Sequence, residues 1–409
     1  MKIGIYISGL GQLNDNNSVE KYAERLKNEM NFNTRYLQYQ TKTEKINYTK
    51  DKESIIVSIY EKSSPSEIIY KFYDFRYHEI LTEKFNGRSL IFKSFWLLLL
   101  VIGKFPLIIK RIFSPASYSR PFQLFYVFSI FLVLSFSLVL MIPAVLEIMT
   151  NTFKENHIDL LVLKNFIYKG DIPYLAIDCK NARFCLDIDK ISKGIILFTA
   201  LLVLIIPNAN TIITNLATNF VCANDYLQHG SQRQLIQGNL EHLVDYVTEH
   251  ENDCEIHLHT YSFGTILGLD YIYPYGIKAS QNALKYCKAI ITIGTPYEFV
   301  NSYYPKFYKN REVKPGDYLQ WLNVYSIADA LGTNFRRDST IGAAEFGLEN
   351  TLNKPININY EVSPLNKAFI TDFIMLHSIR THEMYWDPKT EGQSCLGLIY
   401  NEMKFRSLI

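Results

Sequence analysis

Cysteine is sparse in this chain of 409 residues, and none of the six sits in a Cys-x-x-Cys spacing. That removes the usual grounds for a structural zinc site or a dithiol redox motif. A basic run is missing too: Lys+Arg number 42 against Asp+Glu 40, so no positive face is available to capture nucleic acid, and no such partner is expected. The N-terminal MKIGIYISGLGQ lacks a long apolar core and a small-residue cleavage site, and reads as a strand rather than a secretory signal. Gly9-Leu10-Gly11 after that strand lacks the third glycine and the later acid of a dinucleotide fingerprint. Internal repeats and low-complexity tracts are also absent.

Charge itself is absent from Phe122 to Leu146, a stretch of Phe, Leu, Val and Ile long enough for the roughly 20 residues that cross a hydrocarbon layer. A second run, Ile195 to Ile206, reaches spanning length if its helix continues to about Ile212, which places the two expected crossings at about 122–146 and 192–212. A buried core helix is the alternative for the second. Leu90 to Ile109 carries Trp96, Lys93 and Lys104 and is followed by Lys110, Arg111 and Arg120, which suits a helix lying in the membrane interface, with spanning left open. Strands shared across the insert require an even number of crossings, which favours two. The basic cluster before the first crossing then sets the flanking body on the cytoplasmic side of an inner or plasma membrane. Cys179 and Cys185 fall in the loop between crossings, as a disulfide or as two free thiols.

Outside that insert the pattern is α/β. Strands are expected over Lys2 to Ser8, Thr34 to Gln40, Ser54 to Tyr60, Ile68 to Phe75, Cys254 to Thr260, Ala289 to Gly294, Leu322 to Ser326 and Ile358 to Val362. Helices are expected over Ser18 to Met30, Ser231 to Glu249 and Phe263 to Tyr271, the second burying Leu235, Leu240, Leu243, Val244 and Val247. Strands alternating with helices argue for a mainly parallel sheet covered on both faces. The organisation expected is residues 1–88 and 215–409 as two parts of one body, 89–120 as a basic, apolar helical segment, and 121–214 as the membrane hairpin.

Thr260-Tyr261-Ser262-Phe263-Gly264 lies between the strand Glu255 to His259 and a helix. A serine on a tight strand-to-helix turn stands clear of the sheet, with backbone N–H groups converging beside it. This turn resembles the nucleophile elbow of the α/β-hydrolases, except that Thr260 replaces the first glycine of Gly-x-Ser-x-Gly. A β-branched residue there crowds the turn, so its side chain must find a groove. Downstream, the Trp321-x-Asn323 run ending at Asp329, the Gly294-Thr295-Pro296 turn, and His382 in His-x-x-Tyr385-Trp386 look like lipase-like members of that superfamily, in the order nucleophile, acid, histidine.

The resemblance covers residues 215 to 390 well and 1 to 90 loosely. It implies a carboxylic ester hydrolase in which Ser262 attacks, His382 takes its proton and Asp329 fixes the imidazole. Asp338 is a rival acid with Arg336 and Arg337 as ready partners, and His377 a rival base. Asp329 has a bland reading as a helix cap. The oxyanion hole would use the N–H of Phe263 and that of Leu10 or Gly11. No cofactor or metal is implied. His257 and His259 share a strand face, but no third ligand follows at useful spacing, and hydrogen bonding is the commoner use of such residues. The expected substrate is a lipid or acyl ester drawn from the bilayer. A body of this fold that has lost catalysis and serves as a membrane sensor or effector is the alternative, and acyl transfer or thioester cleavage would share the same residues.

Overall fold

The computed structural model describes residues 1–10, 18–34, 36–86, 88, 90–113, 221–230, 232–276, 278–309, 311, 319–338, 340–348, 354–361 and 381–409. Both expected crossings, the Cys179–Cys185 loop, Gly11 and His377 lie outside these residues. Among the described residues no helix is long and apolar enough to cross a membrane.

One eight-stranded sheet organises the described chain, in the order β2-β3-β4-β1-β5-β6-β7-β8. Its strands are β1 (Lys2–Ile7), β2 (Tyr39–Thr49), β3 (Lys52–Glu61), β4 (Ser64–Asp74), β5 (Glu255–Tyr261), β6 (Cys287–Ile293), β7 (Gln320–Tyr325) and β8 (Ile356–Asn359). Only β3 runs against the rest, through antiparallel pairing with β2 and β4; β1, β4, β5, β6, β7 and β8 pair in parallel. The first strand is therefore central, between β4 and β5, and Ile7 stands opposite Thr260. That register puts the chain beyond β1 beside the turn beyond β5.

Helix α1 (Val19–Asn33) starts at Ser18, whose side chain accepts from Lys21 N–H, and buries Val19, Tyr22, Leu26 and Met30 at helical spacing. These residues join Val57, Ile59, Phe72, Ile291, Val324, Leu396 and Ile399 in one core. The connection after α1 differs from the expected strand at Thr34 to Gln40. The Thr34 hydroxyl donates to Met30 O at 2.8 Å, and Asn31 holds both backbone groups of Tyr39, so the helix runs to Asn33 and the strand begins only at Tyr39.

A short helix, α2 (His78–Asn86), and a long one, α3 (Leu90–Phe113), follow β4; further along the chain a π-helical turn (Asp225–His229) leads to α4 (Arg233–His250). Helix α4 buries Ile236 with Leu240, Leu243, Val244 and Val247, while Leu235 is 57% exposed. The expected face was thus one residue out of phase at its start. Helix α5 (Phe263–Ile272) is buried along its whole length and packs on β1, β5 and β6. The remaining helices are α6 (Gln281–Tyr286), α7 (Tyr297–Tyr303) and α8 (Leu396–Phe405), with a 3-10 turn at Thr381–Glu383.

Met1–Asn86, Lys104–Phe128 and Cys222–Ile409 form one compact unit, and Gly87–Gly103 with Ser129–Val221 a second. Little of the second unit falls within the described residues. In the first, β1 and β4 share a sheet with β5 to β8, so the two flanks of the insert fold together.

Candidate active site

Ser262 occupies the turn between β5 and α5 with φ 52° and ψ −121°. A residue with a β-carbon is strained there, and the surroundings hold it in place. Its N–H donates to Ile293 O at 2.9 Å, and its carbonyl accepts from Thr265 N at 3.0 Å and Thr265 Oγ1 at 2.6 Å. Thr265 Oγ1 also meets Thr295 Oγ1 at 2.8 Å, tying the elbow to the Gly294-Thr295-Pro296 turn. The serine side chain remains partly open to solvent.

Glycine permits the close approach at two points. A Cβ on Gly264 would lie 2.2 Å from Ile7 O and 2.4 Å from Ser8 O, so α5 abuts the end of β1. A Cβ on Gly9 would lie 2.9 Å from Ser262 Cβ, which places the loop after β1 directly at the nucleophile. Leu10 follows in that loop, where the second oxyanion donor was expected; Phe263 opens α5, its backbone N–H at the helix start.

Thr260, the departure from the elbow pattern, has its groove. Its hydroxyl donates to Ile291 O at 2.8 Å, and its methyl lies where a Cβ on Gly268 would come within 2.8 Å of it. The glycine missing from the turn reappears eight residues after Thr260, within α5.

His382 Nε2 lies 2.7 Å from Ser262 Oγ, and its Nδ1 lies 2.9 Å from Asp329 Oδ2 and 3.1 Å from Oδ1. An ionised carboxylate only accepts, so Nδ1 carries the proton and Nε2 is free to accept from the serine hydroxyl. Asp329 is fully buried, and its Oδ1 also accepts from Leu331 N–H at 2.8 Å. Burial disfavours its charge, yet His382, the Tyr385 hydroxyl and Leu331 N–H outweigh burial and hold its pKa below the ordinary aspartate value. For His382 burial pushes the pKa down, but the charge and hydrogen bond of Asp329, with Glu383 nearby, outweigh it and hold the value above that of an ordinary histidine. Tyr261 supports the ring from β5, donating to His382 O at 2.7 Å and stacking at 5.7 Å.

Of the two candidate acids, Asp329 is the one on His382, and it caps no helix. Asp338 has a half-exposed side chain, and its pKa is held down by Arg336 and Thr340. Sequence reasoning missed three supports: Gly268 under Thr260, the Thr265–Thr295 tie, and the contact of Tyr385 with Asp329. Two of these carried a signal: Tyr385 as part of the His-x-x-Tyr-Trp ending, and Thr295 as part of the Gly-Thr-Pro turn.

The strand histidines face a different neighbourhood. Tyr70 hydroxyl lies 2.7 Å from His257 Nδ1 and 2.8 Å from His259 Nε2, and Tyr22 hydroxyl lies 2.8 Å from His259 Nδ1. Tyr70 reaches across β1 from β4 because Gly4 has no side chain; a Cβ there would lie 2.6 Å from Phe72 and 2.9 Å from Tyr70. Among the described residues no group of three His, Cys, Asp or Glu could hold a metal ion. Cys222, Cys254, Cys287 and Cys395 are buried, and none of the four forms a disulfide.

A buried carboxylate, an imidazole and a partly open serine, joined in series at the end of a central parallel strand, can generate a nucleophile. No protein-family model, curated protein or solved structure matches the chain.

Proposed function

We propose that this protein is an α/β-hydrolase-type carboxylic ester hydrolase acting through an acyl-Ser262 intermediate. The observation that carries the reading is the unbroken series Ser262–His382–Asp329 on a serine held at positive φ. Ser262 Oγ attacks the ester carbonyl as His382 Nε2 takes its proton. The oxyanion meets the N–H of Phe263 and a second backbone N–H from the loop after β1, with Leu10 as the donor among the described residues, and the imidazolium passes its proton to the departing alkoxide. Water then attacks the acyl ester by the same route and releases the carboxylic acid.

Attachment to a membrane, and a lipid or acyl ester as substrate, belong to the same proposal. Helix α3 exposes Phe92, Trp96, Leu99, Ile102, Phe105 and Ile109, as an amphipathic helix at a bilayer surface would, and the charge-free stretch 122–146 follows it in sequence. The hairpin crossings and a cytoplasmic position for the catalytic body complete this reading. The rival reading, an inactive sensor or effector, rested on Thr260 and on the choice of acid. Gly268 accommodates the first, and Arg336 occupies Asp338.

Labelling of the full chain in membranes with a fluorophosphonate tests the proposal. Wild type should label, and Ser262→Ala should not. Ser262→Ala and His382→Ala should each lower hydrolysis of lipid esters by roughly three or more orders of magnitude, with the melting temperature nearly unchanged. A wild-type chain that stays unlabelled would leave the sensor reading standing.

A further inference from the structure

Asp329 Oδ2 is shared. It accepts from His382 Nδ1 at 2.9 Å and from the Tyr385 hydroxyl at 2.7 Å. Tyr385 is itself oriented, because its oxygen accepts from Ser326 N–H at 3.3 Å, directing its own proton at the carboxylate. The ring is 1% exposed and has a seat cut for it by two glycines. A Cβ on Gly294 would lie 2.8 Å from Tyr385 Cε2; one on Gly332 would lie 2.8 Å from the phenol oxygen and 2.5 Å from Asp329 Oδ2. Packing alone does not call for a hydroxyl here, since phenylalanine would fill the same seat.

We infer that Tyr385 is a positioning residue of this site: its hydroxyl fixes the Asp329 carboxylate toward His382 and, by occupying the same oxygen, limits how strongly Asp329 holds the imidazolium. This rests on Ser262 being the nucleophile. The balance matters because His382 must both take a proton and give it up within one cycle. A carboxylate with an undivided oxygen stabilises the imidazolium further, so the base titrates at higher pH and returns its proton to the leaving group less readily. The groups facing His382 are Asp329, its neighbour Glu383, the phenols Tyr261 and Tyr385, and Ser262. Of these only Asp329 loses a hydrogen bond when the Tyr385 hydroxyl is removed. The phenols of Tyr261 and Tyr385 stay neutral, their pKa values pushed well up by burial.

The test measures the rate of fluorophosphonate labelling against pH for full-length wild type, Tyr385→Phe and Gly332→Ala in detergent micelles. Tyr385→Phe should move the acid limb of the profile upward by about half to one pH unit, with a plateau rate within about tenfold of wild type. A limb that stays in place, or moves down, overturns the inference, because a merely structural tyrosine would leave the base unchanged. Should Tyr385→Phe fail to fold, Gly332→Ala decides: its methyl group intrudes on both the hydroxyl and Oδ2, so labelling should slow by about tenfold or more, and a wild-type rate overturns the inference. Wild type that takes no label overturns the hydrolase reading and this inference with it. Wild type that labels beside an unmoved Tyr385→Phe limb overturns this inference alone.

Discussion

His382 and His259 are both deeply buried, yet they are driven in opposite directions. His259 has two phenols for partners, and burial, with His257 beside it, pushes its pKa well down. His382 has a carboxylate, which overcomes the same penalty and brings the value above that of a free histidine. Burial alone therefore does not decide whether a histidine can serve as a base; the charge of its partner does. One region of this sheet holds the imidazole between two tyrosines, and the other holds it between a carboxylate and a serine, the arrangement the proposed proton transfer requires.

Asp329→Asn breaks the contrast most directly. It leaves His382 with a neutral partner, as His259 has, and frees the ring to adopt the wrong tautomer. Ester hydrolysis should fall on the order of 10³–10⁴-fold, and the acid limb of the remaining activity should move down. A variant within tenfold of wild type would show that the carboxylate is not what distinguishes the two histidines.

Tyr70→Phe tests the other side. It strips a partner from both His257 and His259 inside the core, which should cost about 1–3 kcal/mol of stability, read as a lower melting temperature. Labelling at Ser262 should change less than about twofold, since no triad hydrogen bond is touched. A large loss of labelling with an unchanged melt would reverse the assignment of the two regions.

The same contrast extends to the pH dependence of stability. His257, lowered to about 3, and His259, also lowered, bind protons in the unfolded chain before they do so in the folded one. Their contribution is complete above pH ~6.5 and is lost as pH falls from there toward 3. His382, with its raised value, does the reverse: its contribution is complete below pH ~6.5 and is lost as pH rises through the folded-state value. Thermal melts across pH 3 to 8 should therefore steepen on the acid side in wild type, and His257→Gln with His259→Gln should flatten that slope. An acid slope that survives both substitutions would place its origin elsewhere.

Much of this contrast was legible in the sequence. The elbow serine, the acid after β7 and the histidine near the C-terminal end were readable because each sits beside a strongly patterned apolar strand or in a recognisable short run. Two strand histidines on one face were readable from the period of two. Their partners were not, because Tyr22 and Tyr70 come from elements far away in sequence, and only the bare backbone of Gly4 lets Tyr70 through. Strand β2 was misplaced for a related reason: Lys42 to Lys45 lie exposed on an edge, so no apolar alternation marks them. Charged side chains on such an edge oppose pairing with another chain. Gly268 and Gly332 were equally silent, since a glycine shows its purpose only when the side chain occupying its space is known.

The central place of β1 bears on how the protein is made. Its partner on one side, β4, ends at Asp74, whereas its partner on the other, β5, begins at Glu255. At roughly 5–20 residues per second, the ribosome takes roughly ten to forty seconds to deliver the stretch between them. Throughout that interval the growing chain has an open flank along Lys2–Ile7, and Ser262 has not yet been translated. The site is thus assembled late, around a strand, β1, that is translated well before β5.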